Sequence, residues 1–283
     1  MNSFKNLNPY FLITYFVFVL FISIFSFNPV YIGIGMLGAV SYCFLILEKK
    51  NLCKSLLIYF LVFLAVTIIN PLFSHNGKTA LFFINDNRVT LEALIYGAVL
   101  ALAIVEVIFW FKCFNIIFDS EKIIFLFGKI SPKTALVFSM TLRFIPNLIN
   151  KFKSVNMSQK LINNNHRLKR YLNSFSAVIT QSMENSILTS DSMNARGYGL
   201  KHRTFYSRFK FTSTDLILLI LSAVLFVLTV IGRTSFVYYP EFLAPGLNTF
   251  NCLSYISFLV LSFIPFIFEI KEGIRWKYSV SKI

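Results

Sequence analysis

Apolar residues in this chain arrive in long blocks divided by short polar breaks. The first block runs from Tyr10 to Phe27 and stops at Asn28-Pro29. Proline disfavours helix at the residue before it and can begin the next helix, so a second block, Val30 to Leu47, forms a tight hairpin with the first. A third block covers Leu52 to Phe73 and carries Asn70-Pro71 near its end. After a polar loop from His75 to Arg88, Thr90 caps a fourth helix, and Glu92 in its first turn complements the helix dipole. That helix reaches Phe118, roughly 45 Å at 1.5 Å per residue, and must tilt or protrude. A fifth block is Asp215 to Ile231 and a sixth Phe250 to Phe268. Spanning a bilayer takes about 20 helical residues. The pattern predicts an all-α integral membrane protein with about six transmembrane helices.

Between the fourth and fifth blocks the pattern changes. Ser131-Pro132 reads as a helix cap followed by proline at the first helical position. From there Phe138, Leu142, Ile145, Ile149, Phe152 and Val155 recur every three or four residues, while Arg143, Asn147, Lys151, Ser154 and Ser158 line another face. This predicts a long amphipathic helix, kinked near Pro146. Asn163-Asn164-Asn165 marks a turn, and a second amphipathic stretch follows with Leu168, Leu172, Phe175 and Ile179 on one face, closing at Ala195-Arg196-Gly197. Neither stretch is apolar enough to span. The periodicity fits a helix on a lipid surface and a helix packed on protein equally well. The chain thus divides into 1–118, four membrane helices; 119–212, the amphipathic region; and 213–283, two membrane helices and a tail.

Charge gives this division a direction. The net charge of +15 would ordinarily suggest nucleic acid, but the basic residues flank apolar blocks and no nucleic acid is expected. With six spans, Lys5, Lys49, Lys50, Lys54, the fifteen Lys and Arg of 119–212, and Lys271, Arg275, Lys277 and Lys282 give 23 on one side. Lys78, Arg88 and Arg233 give 3 on the other. The rule that basic loops stay inside then puts both termini and the 119–212 segment in the cytoplasm. A hydrophobic fraction of 56%, a mean hydropathy of +0.68, 34 Phe and only 14% charged residues exclude a soluble domain. The first block is too long, and lacks the small-x-small site, for a cleaved signal peptide.

Catalytic chemistry finds little support. His75, His166 and His202 are isolated, and Cys43, Cys53, Cys113 and Cys252 lack metal-ligand spacing, so they read as small apolar fillers in a reduced setting. Gly77-Lys78-Thr79 is no phosphate loop, because Leu72 stands where that loop needs glycine. Glu106 lies inside the fourth block, and an intramembrane carboxylate is a functional candidate. It would sit near the cytoplasmic interface or on a polar seam between subunits. With no second acid in the spanning blocks, a proton relay has nowhere to go.

A family likeness joins these features. Asp191-Ser192-Met193-Asn194-Ala195-Arg196-Gly197-Tyr198-Gly199 resembles the signature of the T component (EcfT/CbiQ-like) of energy-coupling-factor (ECF) importers, a class of ABC-type transporter. Asn70-Pro71-Leu72-Phe73 with His75-Asn76-Gly77, Thr90-Leu91-Glu92-Ala93 with Tyr96-Gly97, and Leu142-Arg143-Phe144-Ile145-Pro146 resemble further segments of that family in order. The resemblance implies a scaffold in the bacterial inner membrane that couples two cytosolic ABC-type ATPase subunits to a small membrane S component. The S component binds the substrate, a vitamin or a transition-metal cation. The implied docking residues are Ala195, Arg196 and Gly197, with a first motif near Gln159 and Lys160. Arg143 and Pro146 form an implied coupling hinge, and Asn70, Pro71, Asn76 and Gly77 an S-component contact or a structural turn. The family's first motif typically carries arginine, which this chain lacks; Lys160 or Arg167 stands in, or that contact rests on packing. The scaffold itself would hold no cofactor, ATP being bound by its partners. Two other readings make different demands: a proton-coupled carrier or membrane enzyme using Glu106 and His75, and a lipid-binding anchor.

Overall fold

Proline sets the first helix boundaries. Pro9 opens α1 (Pro9–Phe25), capped by Asn8, whose Oδ1 accepts the Tyr10 N–H at 3.1 Å. Pro29 opens α2 (Pro29–Ile46), where Asn28 Oδ1 accepts from Val30 N–H at 3.0 Å. In both, a ring that lacks an N–H occupies a first-turn position where none is needed. The computed structural model describes residues 4–280 apart from 47–48, 75–76, 78, 85–86, 163–166, 200–208, 235, 237 and 239–248.

The chain forms two compact units, one of Met1–Asp119 with Phe209–Ile283, the other of Ser120–Arg208. In the first unit, α3 (Lys49–Phe73) is followed by an antiparallel hairpin, β1 (Ala80–Ile84) and β2 (Asn87–Thr90), and then by α4 (Leu91–Ile117). Phe82 pairs with Val89 and Ile84 with Asn87. This corrects the expectation of a plain loop from His75 to Arg88. The run Leu81-Phe82-Phe83-Ile84 is short, aromatic and apolar, a strand signal masked by the greater hydropathy on either side. The remaining helices are α8 (Ser213–Ile231) and α9 (Thr249–Val280), with α5 to α7 in the second unit.

Five helices are long and apolar enough to cross a membrane: α2, α3 from Ser55, α4, α8 and α9. The 17-residue α1 is apolar and packs with them. Helix α4 lies against α1, α2 and α3, while α9 lies against α2 and α8. Lipid supplies no hydrophobic drive between helices, so close approach has to come from small side chains and hydrogen bonds. Gly38 sits against Ser262, and the Ser254 hydroxyl donates to the Gly232 carbonyl at 2.9 Å. Outward, Leu57, Phe60, Leu61 and Ile68 of α3 are exposed, the surface an apolar solvent accepts.

The N-terminal segment is bound to helix ends. Phe4, fully buried, meets the rings of Phe11, Tyr15, Tyr42 and Phe268 edge-on. Its N–H donates to Glu269 Oε1 at 3.1 Å, Asn8 N–H donates to Asp215 Oδ1 at 3.2 Å, and Lys5 pairs with Asp119 at 2.7 Å. Helix α9 continues to Val280, past the expected stop at Phe268. Hydropathy measures the cost of entering lipid, so it ends where charge begins, whereas the helix continues through Glu272 and Arg275, an i,i+3 pair at 3.6 Å.

In the second unit, α5 (Ser120–Ile130), α6 (Pro132–Ile162) and α7 (Arg167–Ala195) pack in sequence, α5 on α6 and α6 on α7. The sequence reading missed α5, three turns directly after a long apolar helix. Ser131 alone separates α5 from α6: its N–H donates to Phe127 O, and its carbonyl accepts from Ala135. Helix α6 runs from Pro132 to Ile162 with Pro146 inside it, the position at which the sequence places a kink.

Candidate functional site

The Ala195-Arg196-Gly197 segment is a fully formed helix terminus. Gly197 has φ +78°, the left-handed conformation in which a side chain would crowd the backbone. Tyr198 N–H donates back to Met193 O at 3.0 Å and Gly197 N–H to Asn194 O at 3.0 Å, the paired bonds of a Schellman cap. These bonds satisfy the terminal carbonyls without using the arginine. Arg196 is exposed, beside exposed Ala195 and half-buried Gly197. A guanidinium at a helix C-terminus, free of any duty in the cap, offers five donors to an external acceptor.

The first candidate motif lies at the end of α6. Gln159 is half-buried and Lys160 exposed, in the last turn; Asn163 lies outside the described residues. Arg167, at the start of α7, is exposed. Arg170 Nε donates to Asn156 Oδ1 at 3.3 Å and the Phe152 and Tyr171 rings stack at 6.3 Å, so the start of α7 lies beside the last part of α6. Helix α7 then carries Arg196 roughly 40 Å away along its axis. Lys160 and Arg196 therefore occupy separate places. Between α6 and α7 lies an apolar groove of about 690 Å³, lined by Ile149, Phe152, Phe175, Ile179 and Met183. Arg143 and Pro146 are both exposed near the middle of α6.

Contacts among the described residues tie the end of α3 to the start of α4. Pro71 is buried in the last turn of α3, and Asn70 O accepts from Ser74 N–H at 2.9 Å. Gly97 of α4 passes so near Asn70 that a Cβ there would lie 3.0 Å from the Asn70 Cβ. Gly77 has φ +139° and packs on Glu92 and Thr90, while Asn76, like His75, lies outside the described residues. Glu92 is buried and accepts from the Thr79 hydroxyl at 2.8 Å and from Thr79 N–H at 3.3 Å. The sequence assigned Glu92 a dipole role, and its larger task is to tie the hairpin to α4. Glu92→Ala is expected to cost about 1.5–3 kcal/mol by removing the carboxylate to which the Thr79 hydroxyl and N–H donate. Faster proteolysis at residues 75–86 than in the unaltered chain is the check.

Glu106 is completely buried inside the helix unit. Its Oε1 accepts from the Ser23 hydroxyl of α1 at 2.5 Å, against Gly35 of α2 and Phe258 of α9. Glu269, a second acid made helical by the extension of α9, is engaged with Phe4 N–H. Among the described residues, no three His, Cys, Asp or Glu side chains come together as a metal site would require.

A family model described as CbiQ, cobalt transport protein, matches residues 6–206. A comparison with curated proteins gives no match. The matched span runs from the N-terminal turn through α7 and its arginine cap, well over half of the 283 residues. The chain therefore belongs to the CbiQ family, the T components of energy-coupling-factor transporters, and is a multi-pass membrane transport component rather than an enzyme.

Proposed function

We propose that this protein is the scaffold through which ATP hydrolysis by two cytosolic ABC-type ATPase subunits reorients a separate S component, for uptake of a vitamin or a transition-metal cation. The observation that carries the reading is the Arg196 terminus, a rigidly capped helix end whose guanidinium is exposed and not needed by its own cap. Ala195 and Gly197 let a partner backbone approach, and an acidic groove on an ATPase would take the arginine. The end of α6, with Gln159 and Lys160, is the second dock. Its distance from Arg196 suits one ATPase at each. ATP binds to those partners, and this chain holds no cofactor.

The other contact is apolar. Leu161, Leu168, Leu172, Phe175 and Met183 are exposed along α6 and α7, more than a water-facing helix pair tolerates. An S component buried in lipid supplies the matching face, and motion at the capped ends reaches it through two stiff helices that turn about Arg143 and Pro146. Asn70, Pro71, Asn76 and Gly77 act as a structural turn. In this reading the chain lies in a bacterial inner membrane with both termini in the cytoplasm, an orientation the 23 to 3 distribution of basic residues supports.

Arg196→Glu tests the reading. A charge-assisted contact is worth about 1.5–3 kcal/mol, roughly a ten- to hundred-fold loss in affinity, and reversal of the charge adds repulsion. The ATPase subunit docked at Arg196 should be lost on co-purification and uptake should stop, with membrane levels of the chain unchanged because its cap is intact. Normal co-purification and uptake would defeat the reading and favour a lipid anchor.

A further inference from the structure

Cys43 of α2 and Cys113 of α4, 70 residues apart in sequence, place their sulphurs 3.0 Å apart. Both side chains are fully buried, and both are free thiols. Two sulphurs at rest keep a wider separation, so the atoms that a disulfide would join are already in closer than ordinary contact. A pair held for packing alone needs no such approach, since the small polar contacts of this bundle use serine and glycine. Cys113 lies one turn before the end of α4, beyond which the chain enters the second unit. A bond there would fix that end of α4 to α2.

We propose that Cys43 and Cys113 form a site of reversible oxidation, a disulfide that staples α2 to α4 when membrane lipids are peroxidised. Both thiols are closed off by packing, so oxidation proceeds when the helices transiently open, and the oxidant at hand inside a membrane is a lipid-soluble organic hydroperoxide. One thiol takes the terminal oxygen of the hydroperoxide, giving a sulfenic acid and the corresponding alcohol. The second sulphur then attacks the first, the S–S bond forms, and water leaves with the two thiol protons. Two thiols are oxidised and one peroxide bond is reduced. A dithiol reverses the reaction by exchange. In the proposed orientation both cysteines lie toward the cytoplasmic ends of their helices, where disulfides are transient rather than permanent.

The test uses the full chain in native membranes. Membranes are treated with cumene hydroperoxide, unreacted thiols are alkylated, and the protein is cut after lysine. The peptide Cys113–Lys122 should be recovered mostly linked to Asn6–Lys49, unlinked without hydroperoxide, and unlinked again after dithiothreitol. Cys43→Ala should abolish the link and leave Cys113 alkylated. Should Cys43→Ala fail to accumulate, Cys113→Ala with the Cys43 peptide as readout replaces it. Recovery of Cys113 alkylated from membranes in which exposed Cys252 has been oxidised would overturn the proposal. So would a link from Cys113 to Cys53 or Cys252.

Discussion

Gly35→Ala should destabilise the membrane unit by driving the Glu106 carboxyl group out of its place. A Cβ at Gly35 would lie 1.9 Å from Glu106 Oε1, 2.7 Å from its carboxyl carbon and 3.3 Å from the Phe258 ring. The carboxyl group must turn away and leave the Ser23 hydroxyl. Overpacking costs about 1–3 kcal/mol, and stranding a buried polar group about 1–3 kcal/mol more. The expected loss is a large part of what holds a domain together, read as a sharp fall in melting midpoint or in the amount of chain recovered from membranes. Glu106→Ala removes the obstacle, so the double variant should be more stable than the two single effects added would give. Gln at position 106 keeps the acceptor for Ser23, and Glu106→Gln should change both stability and uptake little. A proton carrier built on Glu106 requires the reverse, loss of transport in Glu106→Gln with the fold intact. Full stability of Gly35→Ala would show that the carboxylate does not occupy this place.

None of that contact was legible in the sequence. Glu106 stood out because a carboxylate in lipid is expensive, but its partners lie 83 residues away at Ser23 and on a different helix at Gly35. The same holds for Cys43 and Cys113, which read as isolated fillers until two helices brought them together. Local chemistry travelled better. Pro29 and Thr90 marked helix starts because a missing N–H or a capping hydroxyl acts within one turn. Ala195-Arg196-Gly197 marked the end of α7 for the same reason, the glycine taking the left-handed conformation. Hydropathy failed where the helix and the bilayer part company. It ended α9 at the first charges, left β1 within a loop, and passed over α5. The long amphipathic faces of α6 and α7 were plain in the periodicity, yet periodicity cannot say what covers them, and within this chain they remain largely exposed.

The second large effect belongs to Asp215, where the chain returns to the membrane unit after Phe209. Its carboxylate accepts from Thr212 N–H at 2.9 Å, from the Thr212 hydroxyl at 2.6 Å and from Asn8 N–H at 3.2 Å. The first two bonds cap α8, and the third ties that cap to the start of α1. Asp215→Ala should therefore cost about 2–4 kcal/mol, a lost cap together with a buried donor at Asn8 left unpaired. Asparagine should not restore it, because its amide nitrogen presents hydrogens where an acceptor oxygen is needed. Thr214→Ala, one residue away and exposed, should stay within about 0.5 kcal/mol of the parent. Melting of the purified chain separates these outcomes: a drop confined to the Asp215 variants means that the N-terminal segment and α8 are held as one. If Asp215→Ala melted with the parent, the capping carboxylate would be no more than a local ornament of α8, and α1 would have to be held by its apolar packing alone.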